Sequence, residues 1–184
     1  LLGYLFQILA GRFLGPSDFS GLAAILSLYV ILGSPLSALG TFLTHKVSIL
    51  RIHGDQLAIL ELYKTINARV FKVLLFVVII YIATDFKYFY NPIFNSGPLL
   101  FFFMLLVALE ALVFTNNAFF QALRLFQYQA GINTLWAVLK TILGVGLIYF
   151  GYGLNGALLG LVLAMFISWA IGKYTLSRKV NIVD

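Results

Sequence analysis

The chain has 184 residues, 62% of them hydrophobic and only 10% charged, with a mean hydropathy of +1.02. Average protein sequences carry roughly 25% charged residues, so a water-soluble globule is excluded and lipid must be the main solvent. The net charge of +6 is then read as basic residues at helix ends rather than as a nucleic-acid footprint.

Cysteine is absent, which excludes disulfides, thiolate nucleophiles and cysteine metal sites. Two histidines, His45 and His53, share one polar stretch with Asp55 and Glu61. That is a poor metal set, and both read as loop histidines. No metal and no cofactor is expected.

The chain opens inside an apolar stretch, 1–14. It has no basic start and no small-residue cleavage site, so it does not read as a signal peptide. As a helix it rises about 21 Å against a hydrocarbon core of roughly 30 Å. With no initiating Met, this points to a first helix entered midway and to a fragment. Gly15-Pro16-Ser17-Asp18 ends it, and Ser17 or Asp18 is the expected cap of the next helix.

Further apolar runs follow at 19–44, 70–84, 98–121, 130–150 and 154–174. All but 70–84 reach the roughly 20 residues that a span requires. The second carries Pro35 midway and projects until Gly54-Asp55 breaks it. The third is amphipathic at first and ends in a belt of Tyr81, Tyr88, Phe89 and Tyr90. Asn91-Pro92 and Ser96-Gly97-Pro98 turn into the fourth, and polar residues 124–129 separate the fourth from the fifth. Gly151-Tyr152-Gly153-Leu154-Asn155-Gly156 makes a tight turn between the fifth and the sixth, and 177–184 read as a polar tail. Open strands cannot satisfy their backbone in lipid. The expected fold class is therefore all-α: one polytopic transmembrane bundle over 1–184, with helices at about 1–14, 19–50, 55–90, 98–122, 130–150 and 154–176.

Lys46, Arg51, Lys64, Arg69, Lys72, Arg124, Lys173, Arg178 and Lys179 fall on one side, and only Arg12 and Lys87 on the other. Nine against two is a positive-inside bias. It places the 2/3 and 4/5 loops, the tail and the N-terminus in the cytoplasm.

The remaining basic residue, Lys140, and the acidic Glu110 lie deep in apolar runs. An intramembrane charge costs on the order of 2.5–3.5 kcal/mol on insertion scales and so faces a partner or a cavity. Glu110 and Lys140 have matching depths on consecutive helices, so a contact between them is available, either as packing or as a polar spot on a pathway. Arg12 snorkels to the interface or faces a cavity as a phosphate-binding guanidinium, with Gln7 one and a half turns before it. Asn116, Asn117 and Gln121 form a polar stripe that is either interhelical glue or cavity lining. Gly144, Gly146, Gly156 and Gly160 permit close helix approach.

Four segments carry a resemblance. Arg12 precedes Leu14-Gly15-Pro16-Ser17-Asp18-Phe19-Ser20-Gly21, and Ser34-Pro35-Leu36-Ser37-Ala38-Leu39-Gly40-Thr41 follows. Phe119-Phe120-Gln121-Ala122-Leu123-Arg124-Leu125-Phe126 and Gly151-Tyr152-Gly153-Leu154-Asn155-Gly156-Ala157-Leu158 come later. In this order and spacing the chain resembles the polysaccharide biosynthesis proteins, the oligosaccharide flippases of the multidrug/oligosaccharidyl-lipid/polysaccharide exporter superfamily. The resemblance implies one lobe of a two-lobed transporter that moves a lipid-linked saccharide across the cytoplasmic membrane by alternating access. Its partners would be membrane lipids, that substrate and a second, C-terminal lobe of the same chain. It also implies that Arg12 faces the cavity, although Gly11 stands where alanine is more usual. Arg12 and Lys140 would contact phosphate, with Glu110 balancing charge or coupling to an ion. Gln7, Asn116 and Asn117 complete the candidate substrate-binding set. A multidrug or cation exporter of the same superfamily and a non-transporting helical subunit are the alternatives. No nucleophile–base set, phosphate-cradling loop or metal spacing stands out, so an enzyme is not expected.

Overall fold

The computed structural model describes residues 2–88 and 97–180, leaving aside the side chains at 2, 74, 77, 80–88, 97–100 and 180. The described residues are helical throughout, without a strand. In chain order the helices are α1 (Leu2–Phe13), α2 (Pro16–Ile52), α3 (Gln56–Tyr88), α4 (Gly97–Ala122), α5 (Phe126–Leu147) and α6 (Gly153–Val180). A π-helical turn, Ile148–Tyr152, joins α5 to α6. The expected aromatic belt, the Asn91-Pro92 turn and residues 181–184 lie outside what is described.

Three stretches are long and apolar enough to cross a membrane: Pro16–Ile52, Phe101–Ala122 and Phe126–Lys179. The last holds both α5 and α6. The described part of α3, with Glu61, Lys64, Arg69 and Lys72, is not among them.

Local chemistry sets the helix ends. Gly15 is the N-cap of α2 with Pro16 at the first helical position, and the Gly15 carbonyl accepts from the Phe19 amide at 2.9 Å. Ser17 and Asp18, expected as caps, therefore sit inside the first turn. Proline favours that first position because its φ is preset and no N–H is needed there. At the other end Gly54 turns the chain with φ +72°. Asp55 then caps α3, its Oδ1 accepting from the Ala58 amide at 3.1 Å.

Between α4 and α5, Arg124 adopts φ +58°. The Leu125 amide reaches back to the Phe120 carbonyl at 2.8 Å and the Arg124 amide to that of Gln121 at 3.0 Å, which closes α4 with a left-handed cap. Helix α5 starts at once, at Phe126 rather than 130. Gln127 and Tyr128 are exposed, so they ride on the outer face of a helical turn instead of forming a loop. In the same way α6 runs through Ser177 to Val180, not ending at 176. Gly151 (φ +89°) and Gly153 (φ +52°) reverse the chain between α5 and α6, a backbone path that glycine adopts without Cβ strain.

Helix α6 is the spine. Gly156, Gly160, Ala164, Ser168 and Gly172 recur every fourth residue, and all are buried. A four-residue step advances roughly 40° around an α-helix beyond a full turn, so the row winds from one neighbour to the next. At Gly160 it lies on α5, where an added Cβ would sit 2.5 Å from the Gly144 Cα. At Gly172 it has turned to α4, with the Asn116 Nδ2 2.9 Å from the Cβ position. The sequence marks only the first two of these five positions.

Two apolar clusters flank this spine. One joins α1, α2, α4 and α6 through Phe6, Leu22, Leu109, Leu112 and Leu158. The other gathers Val47, Ile59, Phe119, Phe120 and Leu176 near the basic end of the bundle. There the Arg51 guanidinium donates to the Ala122 carbonyl at 3.2 Å, tying α2 to the C-terminal end of α4, where a cation is favoured.

Candidate functional site

Polar side chains inside the bundle fall into two layers. The deeper one joins α2, α4 and α5. Tyr29 and Glu110 face each other closely enough for the phenol and the carboxyl to interact. Lys140 makes no ion pair with Glu110: its Nζ lies 4.8 Å from the Trp136 ring centre and 5.1 Å from that of Phe6. This is cation–π geometry.

The contact expected between Glu110 and Lys140 is thus replaced by two separate arrangements that meet at one cavity. Tyr29, Trp136 and Lys140 all line this space of about 30 Å³, roomy enough to hold a water molecule. Trp136 Nε1 is buried without a hydrogen-bond partner. Nothing in the sequence singles out Tyr29 as the partner of Glu110, since a tyrosine within an apolar run reads as core. The one available hint is that a buried tyrosine hydroxyl needs a hydrogen-bond partner.

This arrangement makes a prediction that a mutant cycle checks. Tyr29→Phe and Glu110→Gln should be coupled by about 0.6 kcal/mol, the mean for interhelical hydrogen bonds in a membrane protein. Glu110→Gln and Lys140→Met should be close to additive. Unfolding titrations of the three single and two double variants in detergent micelles measure both quantities.

The second layer lies nearer the basic end and involves α3, α4 and α6. Asn116, 3% exposed, accepts from the Tyr63 hydroxyl at 2.9 Å and donates to the Trp169 carbonyl at 3.1 Å. Asn67 Nδ2 donates to the Tyr63 carbonyl at 3.0 Å. Burial pushes the Tyr63 phenol up to about 12, which keeps it a neutral donor. Of the two roles open to Asn116, this geometry is that of interhelical glue. Asn117, its neighbour, is half-buried, and Gln121 is exposed.

Gln7 and Arg12 part company. Gln7 lines a cleft of about 460 Å³ between α1 and α2, together with Ala23, Ser27 and Ile31. Arg12 is exposed and is not among the residues lining that cleft. Five residues along a helix are about 140° apart around it, so the two cannot share a face. The candidate residues therefore occupy four places: Lys140 at the central cavity with Glu110 behind Tyr29, Gln7 in the cleft, Arg12 at the end of α1, and Asn116 and Asn117 in the second layer. Among the described residues no group of His, Asp and Glu gathers into a metal-holding set.

Comparison with protein-family models, with curated proteins and with solved structures yields no match.

Proposed function

We propose that this chain is one lobe, of six membrane helices, of a transporter that moves a lipid-linked oligosaccharide across the cytoplasmic membrane. Lys140 carries the reading. An ammonium group within an apolar helix, held by two ring faces and by no carboxylate, is costly to keep and available to an anionic substrate. The pyrophosphate of a lipid-linked sugar has the required charge. Gln7 and the α1/α2 cleft supply polar contacts for the sugar, and Arg12 meets phosphate at the end of α1. In this reading the basic end of the bundle is cytoplasmic and a second lobe completes the pathway.

The test is export of the saccharide in cells whose only copy of the gene carries Lys140→Gln or Arg12→Ala, with protein level in the membrane measured alongside. Export should fall on the order of tenfold or more for Lys140→Gln, the range for losing a hydrogen bond to a charged group. Unchanged export at equal protein level would remove both residues from the pathway. Glu110 favours a second reading, a cation or drug exporter of the same superfamily. Loss of drug resistance in Glu110→Gln with saccharide export intact would select it.

A further inference from the structure

Apart from the cavity and the cleft, a groove lies near the basic end, where α3 and α6 flank α4 without closing over it. Its volume is about 480 Å³, within the range of ligand sites. The floor and walls are apolar, with Ile59, Leu60, Phe119 and Leu176. Two cations complete it: Lys64 on the α3 wall and Lys173 on the α6 wall, both exposed. The Lys173 Nζ is 5.2 Å from the centre of the Trp169 ring, which also lines the groove. Among the described residues lining the groove there is no carboxylate to neutralise either lysine.

We propose that this groove binds an anionic phospholipid of the surrounding bilayer, an acyl chain along its apolar floor and the phosphate on Lys64 and Lys173. Charge complementarity and location both choose this occupant. The groove combines apolar walls with uncompensated positive charge, the inverse of an anionic amphiphile. It also opens on the flank of α6, part of a stretch long and apolar enough to cross a membrane, where acyl chains are the most abundant apolar groups. Trp169, with its ring beneath a lysine, suits the headgroup level at which tryptophan is enriched. The site needs only that the bundle sits in a bilayer, so it is independent of what the protein carries.

Native mass spectrometry of the purified protein, titrated with phosphatidylglycerol and with phosphatidylcholine of the same chains, tests it. Phosphatidylglycerol should be retained in preference. A basic residue near an anionic membrane surface contributes about a fivefold preference, so Lys64→Gln with Lys173→Gln should weaken phosphatidylglycerol retention about thirtyfold and leave phosphatidylcholine unaltered. Lys46→Gln with Lys179→Gln removes the same charge away from the groove and should change retention by less than about twofold. Equal retention of the two lipids by the wild type, or equal losses in both double variants, would overturn the proposal.

A second readout does not depend on affinity. The chain has two tryptophans, so Trp136→Phe leaves Trp169 as the sole tryptophan, whose emission can be excited apart from that of the tyrosines. Brominated phosphatidylglycerol should quench it, and the quenching should disappear in the Lys64/Lys173 double variant. Fluorescence untouched by brominated lipid but altered by an acidic amphipathic peptide would assign the groove to a protein partner instead, and the lipid assignment would fall.

Discussion

Gly160→Val should be among the most damaging substitutions in the chain, costing about 3 kcal/mol or more of stability in detergent micelles. The reason is what a Cβ would meet. Its ideal position lies 2.5 Å from the Gly144 Cα, 2.6 Å from the Gly144 nitrogen and 2.8 Å from the Leu143 carbonyl carbon. These are backbone atoms, so no rotamer change relieves the overlap and α5 must move off α6. That movement would propagate. On its other side Gly144 is pressed against α1, where an added Cβ would come within 2.6 Å of the Phe6 ring. Phe6 is fully buried and also carries Lys140 on its ring, so parting α5 from α6 disturbs the central cavity as well.

Gly160→Ala should show a smaller loss of the same sign, about 1 kcal/mol or more. Gly146→Ala is the control. No atom lies within 4 Å of its added Cβ, so it should be neutral or stabilising by up to about 1 kcal/mol through helix propensity. Midpoints of unfolding in a mixed-micelle titration rank the three. Gly160→Ala as stable as Gly146→Ala would mean that α5 and α6 do not pack at this point.

Asn116→Leu should be the second most costly change, about 1–2 kcal/mol. Leucine nearly preserves volume but removes the acceptor for the Tyr63 hydroxyl and the donor to the Trp169 carbonyl. A buried group left without its partner costs its desolvation, whereas removal of both partners costs less. Tyr63→Phe combined with Asn116→Leu should therefore fall short of the sum of the single effects, by up to about 1.7 kcal/mol. Strict additivity would mean that the bond contributes nothing to holding α3 on α4. The same variant separates packing from function. If Asn116 is glue, export per folded molecule is unaltered in Asn116→Leu while stability falls.

Much was legible before any coordinates. Composition excluded a water-soluble fold, and the long apolar runs located the helices, because an apolar segment of that length has only helix available in lipid. Breaks at Gly54-Asp55 and across 151–156 are readable because glycine interrupts a helix over a few residues. The start of α5 at 126 and the end of α6 at 180 are not, because a polar stretch reads as loop while a helix continuing past the apolar region tolerates polar side chains on its exposed face.

The candidate site divides along the same line. Sequence alone determined which residues are out of place in lipid: Glu110, Lys140 and Asn116 each need a partner wherever the helices lie. Tertiary structure alone decided who those partners are. Tyr29, the Trp136 and Phe6 rings, Tyr63 and the Trp169 carbonyl are groups with no mark of their own, brought into reach by helix rotation and by the winding row of small residues on α6. Depth in the membrane is proportional to position along a helix and can be counted. The azimuth at which a side chain points depends on how helices pack, and no count along the chain contains it.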